Sequence, residues 1–282
     1  MPNRNPHPSV NSVQVGDCID AHKLFVSHLF DVVYIDPPFF TQRPWTGAIR
    51  TNEGLAGSDA SVSQIRNAEF SDHWAGGMED YLAWLKPRLS ACWDQLTPQG
   101  CMLIHLDWHA VHYVKVLADG LWGSDRFQNE LIWYYQTGGA SKRRFSRKHD
   151  TILFYAKGDH HFFDGKAIAI PRTEKAMRRA RSGKGARIAA TDTMKNPDDV
   201  FIVSALNAMA EERVGYPTQK PLELLRRLVV ALCPPGGWVG DFMCGSGTTL
   251  LAAAEVGRNF AGCDISPTAV ALAKQRLKAY LG

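Results

Sequence analysis

The stretch "WVGDFMCGSGTTLLAAAEVGRNFAGCDISPTAVALAKQRL", Trp238 to Leu277, limits the possible folds more than any other. It reads as strand, glycine-rich turn, helix, strand and helix, and each strand ends on an acid, Asp241 and Asp264. Strands joined through a helix run parallel, and a parallel sheet needs helices over both faces. The same alternation occupies the first part of the chain. A short strand is expected over Val10 to Val15, leading into "GDCIDAHKLF", and a second over Asp31 to Ile35. Helical spacing follows in "MEDYLAWLKPRLSACWDQL", then a buried strand in "GCMLIHLD" and a helix through "HAVHYVKVLADGLWG". The expected fold class is α/β, a mostly parallel, doubly wound sheet.

From Asn129 the pattern changes. "NELIWYYQTGG" and "HDTILFYAKG" read as two strands around a basic loop, and "PRTEKAMRRARSGKGARIAATDT" as a helix with a tail. The whole reads as an insert that leaves the sheet. Between Gln136 and Ala190 stand fourteen Lys and Arg against four acids, a local net of +10 in a chain of net +4, so the remainder carries −6. That asymmetry points to a polyanion partner. Alternation returns at Gly215 with "TQKPLELLRRLVVALC", an amphipathic helix with Pro221 in its first turn. Thr41 to Gly77 is a long, polar, glycine-rich segment, either a surface excursion or a lid over a site.

Six cysteines lie apart without a C-x-x-C pair, which argues for buried thiols instead of a disulfide framework or zinc ribbon. His105, Asp107 and His109 would share one face of an extended segment. Hydrogen bonding or substrate contact is their expected role, ahead of metal binding. With no secretory apolar region and no run long enough for a membrane span, a soluble cytoplasmic protein is expected.

Two stretches carry chemistry. In "DFMCGSGTT" a Gly-x-Gly turn lets a ligand approach the backbone, and Asp264 is placed to accept from ribose hydroxyls. Neither a dinucleotide fingerprint nor a P-loop is complete, because Leu250 stands where a third small residue belongs and no Gly-Lys-Ser/Thr follows. Asp241 suits an ammonium, so S-adenosylmethionine fits better than a pyrophosphate. The second stretch is "DVVYIDPPFF", a strand that stops at Asp36-Pro37-Pro38-Phe39. An exocyclic base amine is a poor nucleophile because its lone pair is delocalised. Two rigid acceptors on its N–H bonds, the Asp36 carboxylate and the Pro37 carbonyl, would favour a tetrahedral nitrogen and stabilise positive charge. Phe39 would stack on a flipped base. A plain proline turn over buried phenylalanines is the competing reading.

Together "GDCID", "DVVYIDPPFF", "GCMLIHLDWHAVHYVKVLADGLWG", "NELIWYYQTGG", "HDTILFYAKG", "TQKPLELLRRLVV" and the glycine-loop unit resemble the permuted, β-class DNA amino-methyltransferases, in which the catalytic half precedes the cofactor half. The resemblance covers most of the chain and implies a Rossmann-like methyltransferase domain over 1–282. Within it, 1–135 would be the catalytic half, 136–216 a target recognition insert and 217–282 the cofactor half. It implies S-adenosylmethionine as cofactor and double-stranded DNA as substrate. Asp17 would contact the adenine ring, Asp241, Gly245 and Gly247 the methionine part, and Asp264 the ribose. Thr218 and Lys220 would lie near the cofactor, although Lys220 also reads as an ordinary helix-entry lysine. Cys18, Asp36, Phe242, Cys244, Ser246, Thr248, Thr249 and Ile265 complete the implied pocket, and Met243–Cys244 alters its wall. Arg43, Lys142, Arg143, Arg144, Arg147 and Lys148 would contact DNA, neutralising phosphates or reading base edges. Asp in the first motif position goes with adenine N6, Ser with cytosine N4. Cytosine N4 methylation, RNA or protein amine methylation and a catalytically silent DNA-binding subunit remain as alternatives. A homodimer and a cognate restriction enzyme are possible partners.

Overall fold

A computed structural model describes residues 11–26, 29–50, 65–136, 141–182, 191–207 and 209–282, with the backbone alone at 44–50 and 65–70. The chain starts with β1 (Ser12–Val15), a short helical turn (Cys18–Asp20), α1 (Ala21–Leu24) and β2 (Phe30–Ile35). A hairpin of β3 (Arg43–Arg50) and β4 (Ile65–Asp72) follows, then α2 (Gly77–Asp94), β5 (Leu96–Leu106) and α3 (Val111–Trp122). Next come β6 (Phe127–Tyr134), β7 (His149–Ala156), β8 (Ile170–Pro171), α4 (Glu174–Arg181), β9 (Met194–Lys195) and β10 (Val200–Ile202). The last part is α5 (Leu222–Leu232), β11 (Trp238–Asp241), α6 (Thr248–Glu255), β12 (Asn259–Asp264) and α7 (Pro267–Leu281).

Eight strands form one sheet in the order β1-β12-β11-β2-β5-β7-β6-β10. From β1 to β5 all neighbours are parallel, whereas β7 is antiparallel to both β5 and β6, and β10 is parallel to β6. Alternate side chains enter two cores. Val32, Tyr34, Leu103 and Phe154 pack with Leu224, Leu228 and Leu250 of α5 and α6. Val33, Ile35, Met102, Ile104 and Tyr155 pack with Tyr81, Leu85 and Leu89 of α2 and Val114 of α3. Each such buried side chain stabilises by about 1.5–3 kcal/mol, so the central strands read as unbroken apolar runs. All six cysteines are free and buried. Among the described residues no helix is long and apolar enough to cross a membrane.

Two expectations need correction. The sheet does not end at Asn129, because β6, β7 and β10 extend it. An antiparallel hairpin needs no intervening helix, so the strand–helix alternation lapses while the sheet continues. The long segment after "DPPFF" is no plain loop either: β3 and β4 pair from Arg43↔Asp72 to Arg50↔Ile65, and residues 51–64 lie outside the described ones. Val10, Gly138, Gly139 and the expected tail at 183–190 also lie outside them.

Candidate active site

The register places four acids in a row. Asp241 ends β11 opposite Tyr34 of β2 on one side and Gly262 of β12 on the other. Asp36 lies two residues past Tyr34, and Asp264 two past Gly262; Val15 of β1 pairs with Asp264, and Asp17 lies two beyond Val15. Four neighbouring parallel strands thus deliver a carboxylate each to one end of the sheet, where open α/β sheets bind their ligands. The row lines a cavity of about 500 Å³.

Most of the residues expected from the sequence meet in that cavity. Asp17, Cys18, Asp36, Pro37, Pro38, Phe39, Thr218, Lys220, Asp241, Phe242, Cys244, Gly245, Ser246, Thr248, Thr249, Asp264 and Ile265 line it. Gly247 does not. It has φ +75°, and a Cβ there would lie 2.6 Å from that of Ala273 in α7, so this glycine serves the packing of two helices. Gly245 does face the cavity, with φ +48° and the Tyr216 ring 3.0 Å from where a Cβ would stand. Its N–H donates to Asp264 Oδ2 at 2.9 Å, and Ser266 N–H donates to Oδ1 at 2.9 Å. Burial nevertheless keeps the Asp264 carboxyl above its ordinary value. Asp241 is buried more deeply; burial raises it to about 7 despite hydrogen bonds from Thr249 and the Met243 N–H.

The turn after β2 is held from several sides. Tyr81 Oη donates to the Pro38 carbonyl at 2.7 Å. Phe40 has φ +64° and Gln42 φ +58°, a region that costs a bulky side chain energy. Asp72, wholly buried at the end of β4, offsets this by accepting from the N–H groups of Phe40 (2.9 Å) and Thr41 (2.7 Å), the Thr41 hydroxyl (2.7 Å) and the Trp74 indole (3.1 Å). Asp36 itself is paired on one oxygen only. Lys220 donates to Oδ2, and its ammonium also lies 4.9 Å from the centre of the Phe39 ring. Among the described residues Asp36 Oδ1 is the one buried side-chain polar atom without a hydrogen-bond partner.

Tyr216, Trp74, Trp84, Arg88 and Asp72 line the same cavity and were not legible as site residues. Arg88 forms an ion pair with Asp17, donating from Nε to Oδ1 at 3.1 Å, and lies 4.1 Å over the Trp84 ring. The Trp84–Arg88 spacing marks one helix face, but nothing in the sequence ties it to Asp17, 71 residues away. His105, Asp107 and His109 part company. His105 hydrogen-bonds Tyr34 and Asp150, while Asp107 pairs with His109 at 2.7 Å. The basic loop emerges at the same end of the sheet as Asp36, because Thr151 of β7 pairs with Leu106 and Ile104 with Ile35. Lys142, Arg143, Arg144 and Arg147 are exposed and Lys148 is half-buried. Arg147 stacks 3.3 Å over the ring of Trp108, which follows β5. Arg43, also exposed, opens β3 beside Asp72.

A family model described as DNA methylase, of the N6/N4 type, matches residues 30–275. The chain belongs to the N6/N4 DNA methylase family. Over 263 residues it is 27% identical to the type II methyltransferase M.HpaI of Haemophilus parainfluenzae, covering 93% of this chain and 72% of that one. The fold is similar to that of M1.HpyAVI in its SAM complex (TM-score 0.58, 18% identity, 94% and 98% of the two chains). It is also similar to the cytosine-N4-specific PvuII DNA methyltransferase (TM-score 0.62, 15% identity, 95% and 86%). In this methylase the "DVVYIDPPFF" stretch and the glycine loop, about 200 residues apart in the chain, share one cavity.

Proposed function

We propose that this methylase transfers a methyl group from S-adenosylmethionine to the N6 amine of a flipped adenine in duplex DNA, with Asp36 and the Pro37 carbonyl as acceptors for the amine. The observation that carries this reading is the buried, unpartnered Oδ1 of Asp36. An unmet buried acceptor costs stability, and a site that tolerates one is built for a donor that arrives with substrate. Lys220 on Oδ2 leaves that oxygen free for a base N–H. The residues fit the cofactor as well. Buried Asp241, with a carboxyl near 7, gains a counter-ion from an amino-acid ammonium, and Gly245 opens the wall below Tyr216. Asp264, accepting two N–H bonds, retains lone pairs for ribose hydroxyls, and Asp17 with Arg88 borders the adenine side. When bound, S-adenosylmethionine supplies an electrophilic methyl on a sulfonium.

The protein's part is to prepare the amine. A hydrogen bond to Asp36 Oδ1 and another to the Pro37 carbonyl draw both N–H bonds out of the ring plane, which returns the lone pair to nitrogen. As the N–C bond formed and the methyl–sulfur bond broke, leaving a neutral thioether, positive charge would grow on that nitrogen; the fixed carboxylate would stabilise it and stand next to the proton that the amine then loses to solvent. Phe39, stacked against His105 with ring centres 5.9 Å apart, offers its ring to the base. Preference for adenine rests on Asp at the first motif position; the fold likeness to a cytosine-N4 enzyme makes N4 transfer the second reading. Digesting DNA from cells that express the protein and identifying the nucleosides by mass spectrometry decides between them. N6-methyladenine is expected, and N4-methylcytosine as sole product would overturn the adenine reading.

A further inference from the structure

Four polar side chains form a row beside the Phe39 ring, and the reaction above uses none of them. Tyr34 Oη lies 2.7 Å from His105 Nδ1, His105 Nε2 lies 3.3 Å from Asp150 Oδ2, and Tyr135 Oη donates to Asp150 Oδ1 at 3.1 Å. His105 is wholly buried and Asp150 nearly so. Burial pushes the Asp150 carboxyl up, but hydrogen bonds from His105 and Tyr135 and the nearby charges of His105 and Lys220 outweigh it, leaving the carboxyl below its ordinary value. An ionised Asp150 only accepts, so His105 Nε2 donates to it, while Nδ1 hydrogen-bonds the Tyr34 hydroxyl. The imidazole is thus fixed at both nitrogens, and its face meets Phe39 at an interplanar angle of 25°.

The row also joins distant parts of the chain. Tyr34 stands two residues before Asp36, and Tyr135 and Asp150 bracket the loop that carries Lys142, Arg143, Arg144, Arg147 and Lys148. Burying such groups beside the Trp133 ring, which meets both His105 and Tyr135, costs more than an apolar filling would, unless the orientation they impose is needed. We propose that the row fastens both ends of the basic loop to the catalytic turn, and that His105 is a positioning residue which holds Phe39 in place for the target base. This rests on the methyl-transfer reading.

The test uses the full chain and a duplex containing its methylated site, located by sequencing DNA from expressing cells. Steady-state kinetics are measured for His105→Ala, His105→Phe and Tyr135→Phe, with cofactor affinity by calorimetry. The expected kcat losses are roughly 30-fold for His105→Ala and about fivefold for Tyr135→Phe, with KM for DNA and cofactor affinity within about threefold of wild type. His105→Phe keeps a ring against Phe39 without the polar links and recovers part of the loss. A His105→Ala kcat within twofold of wild type would overturn the proposal. So would kcat, KM and cofactor affinity all worsening together, the sign of a merely structural role. Should the His105 variants fail to fold, Tyr135→Phe decides, since it removes one half-buried hydroxyl; an unchanged kcat there overturns the coupling. No methyl transfer by the wild type to any DNA would overturn the methyl-transfer reading, and this proposal with it.

Discussion

The pair Lys220–Asp36 sets what single substitutions in the site will do. Their side chains are 9% and 16% exposed, so removing one partner leaves a largely desolvated charge alone. Lys220→Met should cost about 3 kcal/mol in urea unfolding, and Asp36→Asn in the same chain should restore most of it. Additive losses in the double variant would show the pair to be uncoupled. In the proposed reading Asp241 faces the cofactor's ammonium and so sets the acid side of cofactor binding. Its carboxyl lies near 7 in the free protein and falls once an ammonium sits beside it, so binding favours the ionised form. Cofactor affinity should therefore still rise through pH 7, level off about one unit above it, and weaken by up to about tenfold per pH unit below it. Calorimetric titration between pH 5.5 and 8 reads this limb, and Asp241→Asn should flatten it. For folding the sign is opposite. A carboxyl raised by burial contributes stability below its unfolded value, which is lost as pH rises through about 7. Among these residues the sequence disclosed Asp36, Asp241 and Asp264 by their places at strand ends. Lys220 was legible only as a neighbour of the cofactor; its pairing with Asp36 spans 184 residues and leaves no local mark.

At the scale of elements, the glycine loop does two separate things. Gly245 clears space at the cavity, whereas Gly247 lets α6 approach α7. Gly247→Ala adds a methyl 2.6 Å from the Ala273 Cβ at a positive φ, and should destabilise by about 2–3 kcal/mol while leaving cofactor affinity unchanged. Thermal melts with Ala273→Gly added should recover the steric part. A Gly-x-Gly pattern does not say which glycine meets the ligand; that depends on which neighbour each one touches. The same holds for the β3–β4 hairpin. Thr41 to Gly77 reads as loop because its composition is polar, yet Asp72 within it is a buried anchor of the turn after β2, accepting three hydrogen bonds from Phe40 and Thr41. Isolated acids in polar stretches carry no signal of burial. Periodicity was a sound guide to the strands, β6 and β7 included; what failed was placing that pair outside the sheet, because there a hairpin replaces the strand–helix unit.

Over the whole molecule, the basic loop between β6 and β7 and the four-acid row lie at the same end of the sheet, and in the proposed reading the loop attracts the duplex while the acids serve the chemistry. Replacing Lys142, Arg143 and Arg144 with Ala should weaken DNA binding on any sequence. It should also lower the slope of log K against log salt by up to about 0.9 for each phosphate that the loop no longer neutralises, as read by fluorescence anisotropy. An unchanged slope would remove the loop from the DNA face. Convergence of two chain segments on one cavity was legible because each ends a strand on an acid and parallel strands align their ends. Which side chains pin those ends was not, because the pinning is tertiary. Asp36 bears the mechanism most directly. Single-turnover transfer from labelled S-adenosylmethionine by Asp36→Asn, with cofactor affinity measured beside it, should show affinity within about threefold of wild type and transfer slowed by about 10³ or more. Transfer within tenfold of wild type would contradict the role given to this carboxylate.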